Sequence, residues 1–143
     1  MSTQWTTWRN YAFTASRILA HADHDLRAHI DLSLSDFDVL ATLETAENHT
    51  LSMSCLSATV LVTHSGLSRS VSRLVSRGLI EKLDDQDDRR QRLVRLTPRG
   101  RDVLGEAAQR HRELVTELFF NALSPNDLAG MSVGLAHLAD HVK

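Results

Sequence analysis

Apolar residues recur along this chain with a helical spacing at both ends and in shorter, mixed patterns between. Trp5, Trp8, Ala12, Ala15, Leu19, Ala22, Leu26 and His29 alternate steps of three and four, with no glycine or proline among them. That spacing predicts one helix over residues 5–30, and its strictness marks a narrow seam of the coiled-coil kind. Such a helix is about 40 Å long, more than the body of a small domain needs. Part of its seam is therefore expected to pack on a second chain. The stepping returns at the far end in Leu128, Met131, Leu135, Leu138 and Val142. A start signal precedes it, Ser124-Pro125-Asn126-Asp127, with proline at the first helical position and Asp127 placed to complete a cap on Ser124.

The middle of the chain reads as short elements. Ser35 is expected to cap a helix carrying Phe37, Leu40, Ala41 and Glu44. Residues 47–50 read as a loop, and 51–58 as a short helix with Leu51 and Leu56 inward. Thr63 can then cap a further helix. There Leu67, Val71, Leu74 and Val75 share one face, while Ser65, Arg69, Ser72 and Ser76 lie opposite and Arg73 at the edge. Gly78 is the stop signal. Residues 79–83 and 92–96, both apolar-charged, flank a charged stretch at 84–91 and predict a two-stranded hairpin with a long tip. Thr97-Pro98 restarts a helix, with Leu104, Ala107, Ala108, His111, Val115, Leu118, Phe119 and Ala122 along one face.

Two short helices joined tightly, the second bearing arginines, make a helix-turn-helix, and the hairpin after it is a wing. The expected fold is mainly α (α+β): a winged helix-turn-helix with a two-stranded β-wing and long terminal helices. Residues 1–143 form one domain in this reading. Its winged lobe is 33–100, and residues 1–32 plus 101–143 are helices for homodimerisation.

Charge changes the picture. The formal net charge is −2, yet residues 64–99 hold nine Lys/Arg against five Asp/Glu, a local +4. Local charge sets the field that a phosphate backbone meets. No apolar run approaches the ~18 residues that span a bilayer, and Met1–Trp5 lack the basic and apolar regions of a signal peptide. With a single cysteine, Cys55, no internal disulfide forms, so a cytoplasmic location is expected. The sequence holds no nucleophile elbow, P-loop, dinucleotide fingerprint or His-Glu-x-x-His, so an enzyme is not expected.

Ser65, Ser68, Arg69 and Arg73 are the candidates for a DNA major groove and its flanking phosphates, with an internal pairing to an acid as the alternative for Arg73. Arginine bonds two guanine acceptors at once, and serine hydroxyls suit phosphates. His64 lies in the first helical turn, where an anion is favoured. On the wing, Arg90 is placed to enter a minor groove, with Asp88 able to orient it, while Arg89 and Arg92 suit phosphates. Eight histidines raise the question of metal. His21/His24 and His137/His141 have helical ligand spacings, but no cysteine or acid completes a tetrahedral set, so no metal or other cofactor is expected.

The succession of elements resembles the MarR (multiple antibiotic resistance regulator) family of transcription factors. The resemblance rests on Ser65-Gly66-Leu67-Ser68-Arg69, Arg73-Leu74, Arg77-Gly78-Leu79-Ile80, Asp85-Gln86-Asp87-Asp88-Arg89-Arg90 and Leu93-Val94-Arg95-Leu96-Thr97-Pro98-Arg99-Gly100. It implies an obligate homodimer on a pseudo-palindromic double-stranded operator, mainly a repressor, and often released by a small phenolic or aromatic effector. An effector pocket is then expected where the first, second and fifth helices meet, with Trp8, Tyr11, Arg17 and His111 as candidate liners. The chain departs from the family pattern at Gln86, often proline, and at Ser72, often acidic. The family's one-cysteine peroxide sensors keep their cysteine near the start of the first helix, where this chain has none. The alternatives are a metal- or thiol-responsive regulator of the same fold, or a winged-helix module that binds protein instead of DNA.

Overall fold

The computed structural model describes residues 2–61, 64–84 and 92–143, and the side chains of all these except His64 and Asp84. Helix α1 runs Thr3–Ile30, α2 Leu34–Thr45, α3 Met53–Thr59 and α4 His64–Ser76. Strands β2 (Ile80–Asp84) and β3 (Arg92–Leu96) follow β1 (Thr50–Ser52), and α5 (Pro98–Leu118) and α6 (Pro125–His141) complete the chain. The sheet is antiparallel in the order β1-β3-β2. Thr50 pairs with Arg95 and Ser52 with Leu93 on one side of β3, and Ile80 pairs with Leu96 on the other.

The winged helix-turn-helix with its two-stranded wing, β2 and β3, is therefore present, and among the described residues a third strand, β1, joins its sheet. Residues 50–52 were expected to belong to a loop and the start of a helix. They are extended because the free edge of β3 offers hydrogen-bond partners that only the folded chain supplies. A second correction concerns α2. Its N-cap is Ser33, not Ser35: the Ser33 hydroxyl accepts from the Asp36 amide, and the Asp36 carboxylate accepts from the Ser33 amide. The buried face shifts with it, to Asp36, Val39, Leu40 and Leu43, while Phe37 and Ala41 pack at its margin.

The core joins Leu26 and Leu32 to α2 and to Leu56, Leu67, Val71, Leu74, Leu79, Ile80, Val94 and Leu96, with Leu104 and Ala107 from α5. Thr97 and Gly100 make the turn from wing to α5. The Thr97 hydroxyl accepts from the Gly100 amide at 3.0 Å and lies 2.7 Å from the Gly78 carbonyl oxygen, to which it can donate. A Cβ on Gly100 would lie 2.0 Å from the Leu79 carbonyl oxygen, so no larger residue fits. Ser124 and Asp127 form the expected capping box on α6.

Candidate nucleic-acid interface

Helix α4 is held by its inner face. Leu67, Val71 and Leu74 are essentially inaccessible, as the spacing predicts, and Ser65, Ser68, Arg69, Ser72 and Ser76 are exposed. Its C-terminus closes in a Schellman arrangement about Gly78 (φ +69°): the Leu79 amide donates to Leu74 O and the Gly78 amide to Val75 O. Buried Leu74 and Leu79 are the apolar pair that accompanies this motif. The partner helix α3 is capped by Ser52, whose hydroxyl accepts from the Cys55 amide at 3.1 Å. The connection to α4 is anchored where the Leu61 amide donates to Asp38 Oδ2 at 2.9 Å.

Among the described residues Arg69 makes no hydrogen bond or ion pair, so its guanidinium is free for a ligand. Arg73, about half exposed, takes the internal pairing with an acid that was the alternative to its outward role. Its Nη2 donates to Asp36 Oδ1 at 2.8 Å and to Ser70 Oγ at 3.1 Å. The physical reason is the burial of Asp36, at 4 % exposure: a carboxylate taken out of water needs a cation and hydrogen bonds. Burial works to raise the Asp36 pKa, but hydrogen bonds from Arg73, Ser33 and Ser70 outweigh it and hold the group below the ordinary aspartate range. His64 opens α4, though its side chain lies outside the described residues, as do Asp88, Arg89 and Arg90. Arg92 is exposed at the start of β3. Across the hairpin Glu81 pairs with Arg95 at 2.6 Å.

Sequence reasoning did not single out the residues that seat α4. Arg77 donates from Nη1 to the Asp31 carbonyl and from Nη2 to the Ile30 carbonyl, the latter at 3.5 Å, and so covers the end of α1. The Leu34 amide, at the start of α2, donates to Asp23 Oδ1 at 2.8 Å, and Asp23 Oδ2 also takes Arg27 at 2.7 Å. Further along α1, Asp25 takes both Nε and Nη2 of Arg110 from α5, at 3.1 and 2.8 Å. That bidentate pair is the main reason the Asp25 carboxyl is held low. Of these residues only Ser33-x-x-Asp36 carries a sequence signal, that of a capping box.

The effector candidates are not brought to one place. Tyr11 lines a cleft of about 530 Å³ between α1, the end of α5 and α6, with Ile18, Leu118, Phe119, Met131 and Leu135. The Trp8 ring is 6.2 Å from that of Tyr11 but borders another surface, with Trp5 and Phe13. Arg17 lies over Phe13, 4.9 Å from the ring centre. Only His111 is at the junction of α2 and α5, its ring 4.9 Å from Phe37. Its Nδ1 is buried without a partner among the described residues, and burial pushes its pKa down. Cys55 is exposed on α3. Among the described residues no group of three or more His, Cys, Asp or Glu is arranged to hold a metal, and no helix is long and apolar enough to cross a membrane.

A seated helix with an arginine-bearing outer face, followed by a hairpin, is the architecture of the winged-helix transcriptional regulators. The MarR family model matches residues 30–91. The transcriptional repressor MprA of Escherichia coli K12 is 30 % identical over 112 residues, covering 78 % of this chain and 62 % of MprA. The chain thus spans about three-fifths of the length of that curated relative. AbsC, a MarR family regulator from Streptomyces coelicolor, superposes with a TM-score of 0.89 at 25 % identity, over 99 % of this chain and 95 % of AbsC. Sco3205 from the same organism, solved in complex with DNA, gives 0.91 at 24 % identity, over 100 % and 90 %. The chain is thus similar to MarR family transcriptional regulators, in fold over nearly its whole length and to the family model over residues 30–91.

Proposed function

We propose that the protein is a cytoplasmic, homodimeric repressor that places α4 in the major groove of each half of a pseudo-palindromic operator. The observation that carries this reading is the contrast within α4. Ser65, Ser68 and Arg69 face outward from a helix whose inner face and C-terminus are locked. Ser65, Ser68, Arg69 and His64 are assigned to the groove and its phosphates, Arg90 to the minor groove, and Arg89 and Arg92 to phosphates, with Asp88 orienting Arg90. The dimer is assigned to residues 1–32 plus 101–143 and the DNA lobe to 33–100. Two recognition helices one DNA turn apart, about 34–36 Å, would read the two half-sites. The DNA-bound Sco3205 structure supports the proposal through its fold.

The test is a gel shift with the chain's own upstream promoter at rising salt. Affinity should fall steeply with salt as phosphate contacts release counterions, and Arg69→Ala and Arg90→Ala should each weaken binding by about 1–3 kcal/mol at matched salt. Unchanged affinity in both variants would remove these residues from the interface. Release by a small aromatic effector at the α1–α2–α5 junction is the second part of the proposal, favoured by the unpartnered Nδ1 of His111 beside Phe37. Aromatic acids that raise the melting temperature should also lower operator affinity. Stabilisation without loss of DNA binding refutes that coupling.

A further inference from the structure

Helix α1 ends on Asp31 in the left-handed conformation (φ 56°), with the Asp31 and Leu32 amides bonded back to Leu26 O, while the carbonyls of Ile30 and Asp31 lie beyond the reach of any intrahelical amide. Arg77, one residue beyond α4, fills that need with both arms of its guanidinium, on Ile30 and Asp31. A cation there also meets the negative end of the α1 dipole. The second link runs through α2. Arg73 joins α4 to Asp36 at 2.8 Å, Asp36 closes the cap of α2, and the first amide of α2 is held by Asp23 of α1 at 2.8 Å. Both links meet around one small polar cavity of about 160 Å³. Its three arginines do not make it an anion pocket, since Asp23, Asp36 and the α1 carbonyls already occupy guanidinium donors of Arg27, Arg73 and Arg77.

We infer that Arg77 and Arg73 are positioning residues that clasp α4 to the end of α1, so that the first helix sets the recognition helix's direction and the half-site spacing the protein accepts. Two ties fix a direction where one would leave a hinge. The fork of Arg77 is planar and grips two oxygens at once, so it resists rotation as well as separation. The clasp joins the element assigned to dimerisation to the element assigned to reading bases, and rests on the DNA-binding reading above. It gives Arg73, whose side chain is about half exposed, a role in which its charge is paired with a buried carboxylate.

The experiment is selection of binding sites from random duplex DNA by the wild-type protein, followed by duplexes whose half-sites are moved by one or two base pairs. Arg77→Ala should keep the base preference within each half-site and the melting temperature to within a few degrees. Its preference for the native spacing should flatten, from about tenfold to about threefold or less. Arg69→Ala should do the reverse, losing base preference and keeping the spacing. Should Arg77→Ala lose its cooperative melt, Arg77→Gln, which can hold only one carbonyl firmly, carries the same comparison. Uniform weakening of every duplex, with the spacing preference intact, makes Arg77 a phosphate contact or a plain stabiliser and overturns the inference alone. A wild-type protein that enriches no sequence overturns the DNA-binding reading and this inference with it.

Discussion

In the winged lobe Val39, Leu40, Leu43, Leu56, Leu74 and Val94 have no accessible surface, whereas α6 buries none of its residues. Both regions are written with apolar residues at helical spacing. The lobe closes because its elements are short and its sheet covers what its helices leave open. The terminal arms run past it: in α1 only Ala22 and Leu26 are buried, and Trp5, Trp8, Phe13 and Leu19 are exposed. Such a long uncovered seam is the surface assigned above, as a proposal, to a second chain. The difference shows that periodicity predicts which residues share a face, while length relative to the domain decides whether that face is filled from within.

That comparison breaks most decisively at the arms. Replacing Leu135 and Leu138 together by Asp should convert the proposed dimer to monomer in analytical ultracentrifugation and remove the concentration dependence of thermal unfolding. A double variant that still sediments as a dimer would place the interface elsewhere.

Within the lobe the sharpest probe is Gly100→Val. The new side chain would be driven into the Leu79 carbonyl, and overpacking of this kind costs about 3 kcal/mol or more where backbone must move. Urea titration reads it directly, and a loss below about 1 kcal/mol would mean that the turn relaxes freely.

The smallest effect belongs to His111, where lobe and arms meet. Its pKa is lowered by burial, so the unfolded chain binds the proton more readily than the folded one. Its contribution to stability is therefore complete above the unfolded value of about 6.5 and declines as pH falls from there through the folded-state pKa. His111→Phe keeps a ring against Phe37 and should flatten the melting temperature between pH 7.5 and 5. An unchanged slope would assign that limb to other groups.

Much of the fold was legible in the sequence because its signals are local. The caps at Thr97 and Ser124 act within three residues, the Gly78 stop acts within five, and the inward and outward faces of α4 follow from a period of 3.6. The candidate interface was legible to the same extent, in Ser65, Ser68 and Arg69. For Arg73 an internal acid was legible as an alternative but not its identity, since Asp36 is 37 residues away, and nothing pointed to the partners of Arg77, carbonyls 46 and 47 residues away. Backbone acceptors leave no trace in residue identity.

By itself, then, the sequence determined the order of helices and hairpin, where the helices after the wing start, where α4 stops, and which side of α4 is wet. Each depends on hydrogen bonds or side-chain spacing within one or two turns. Only the tertiary structure decided that residues 50–52 become a strand, that α2 begins at Ser33's cap, and that two arginines beside the reading face bond to α1 and α2. Those outcomes depend on an open strand edge, a buried carboxylate and the last carbonyls of a helix end. None of the three exists until distant parts of the chain have met.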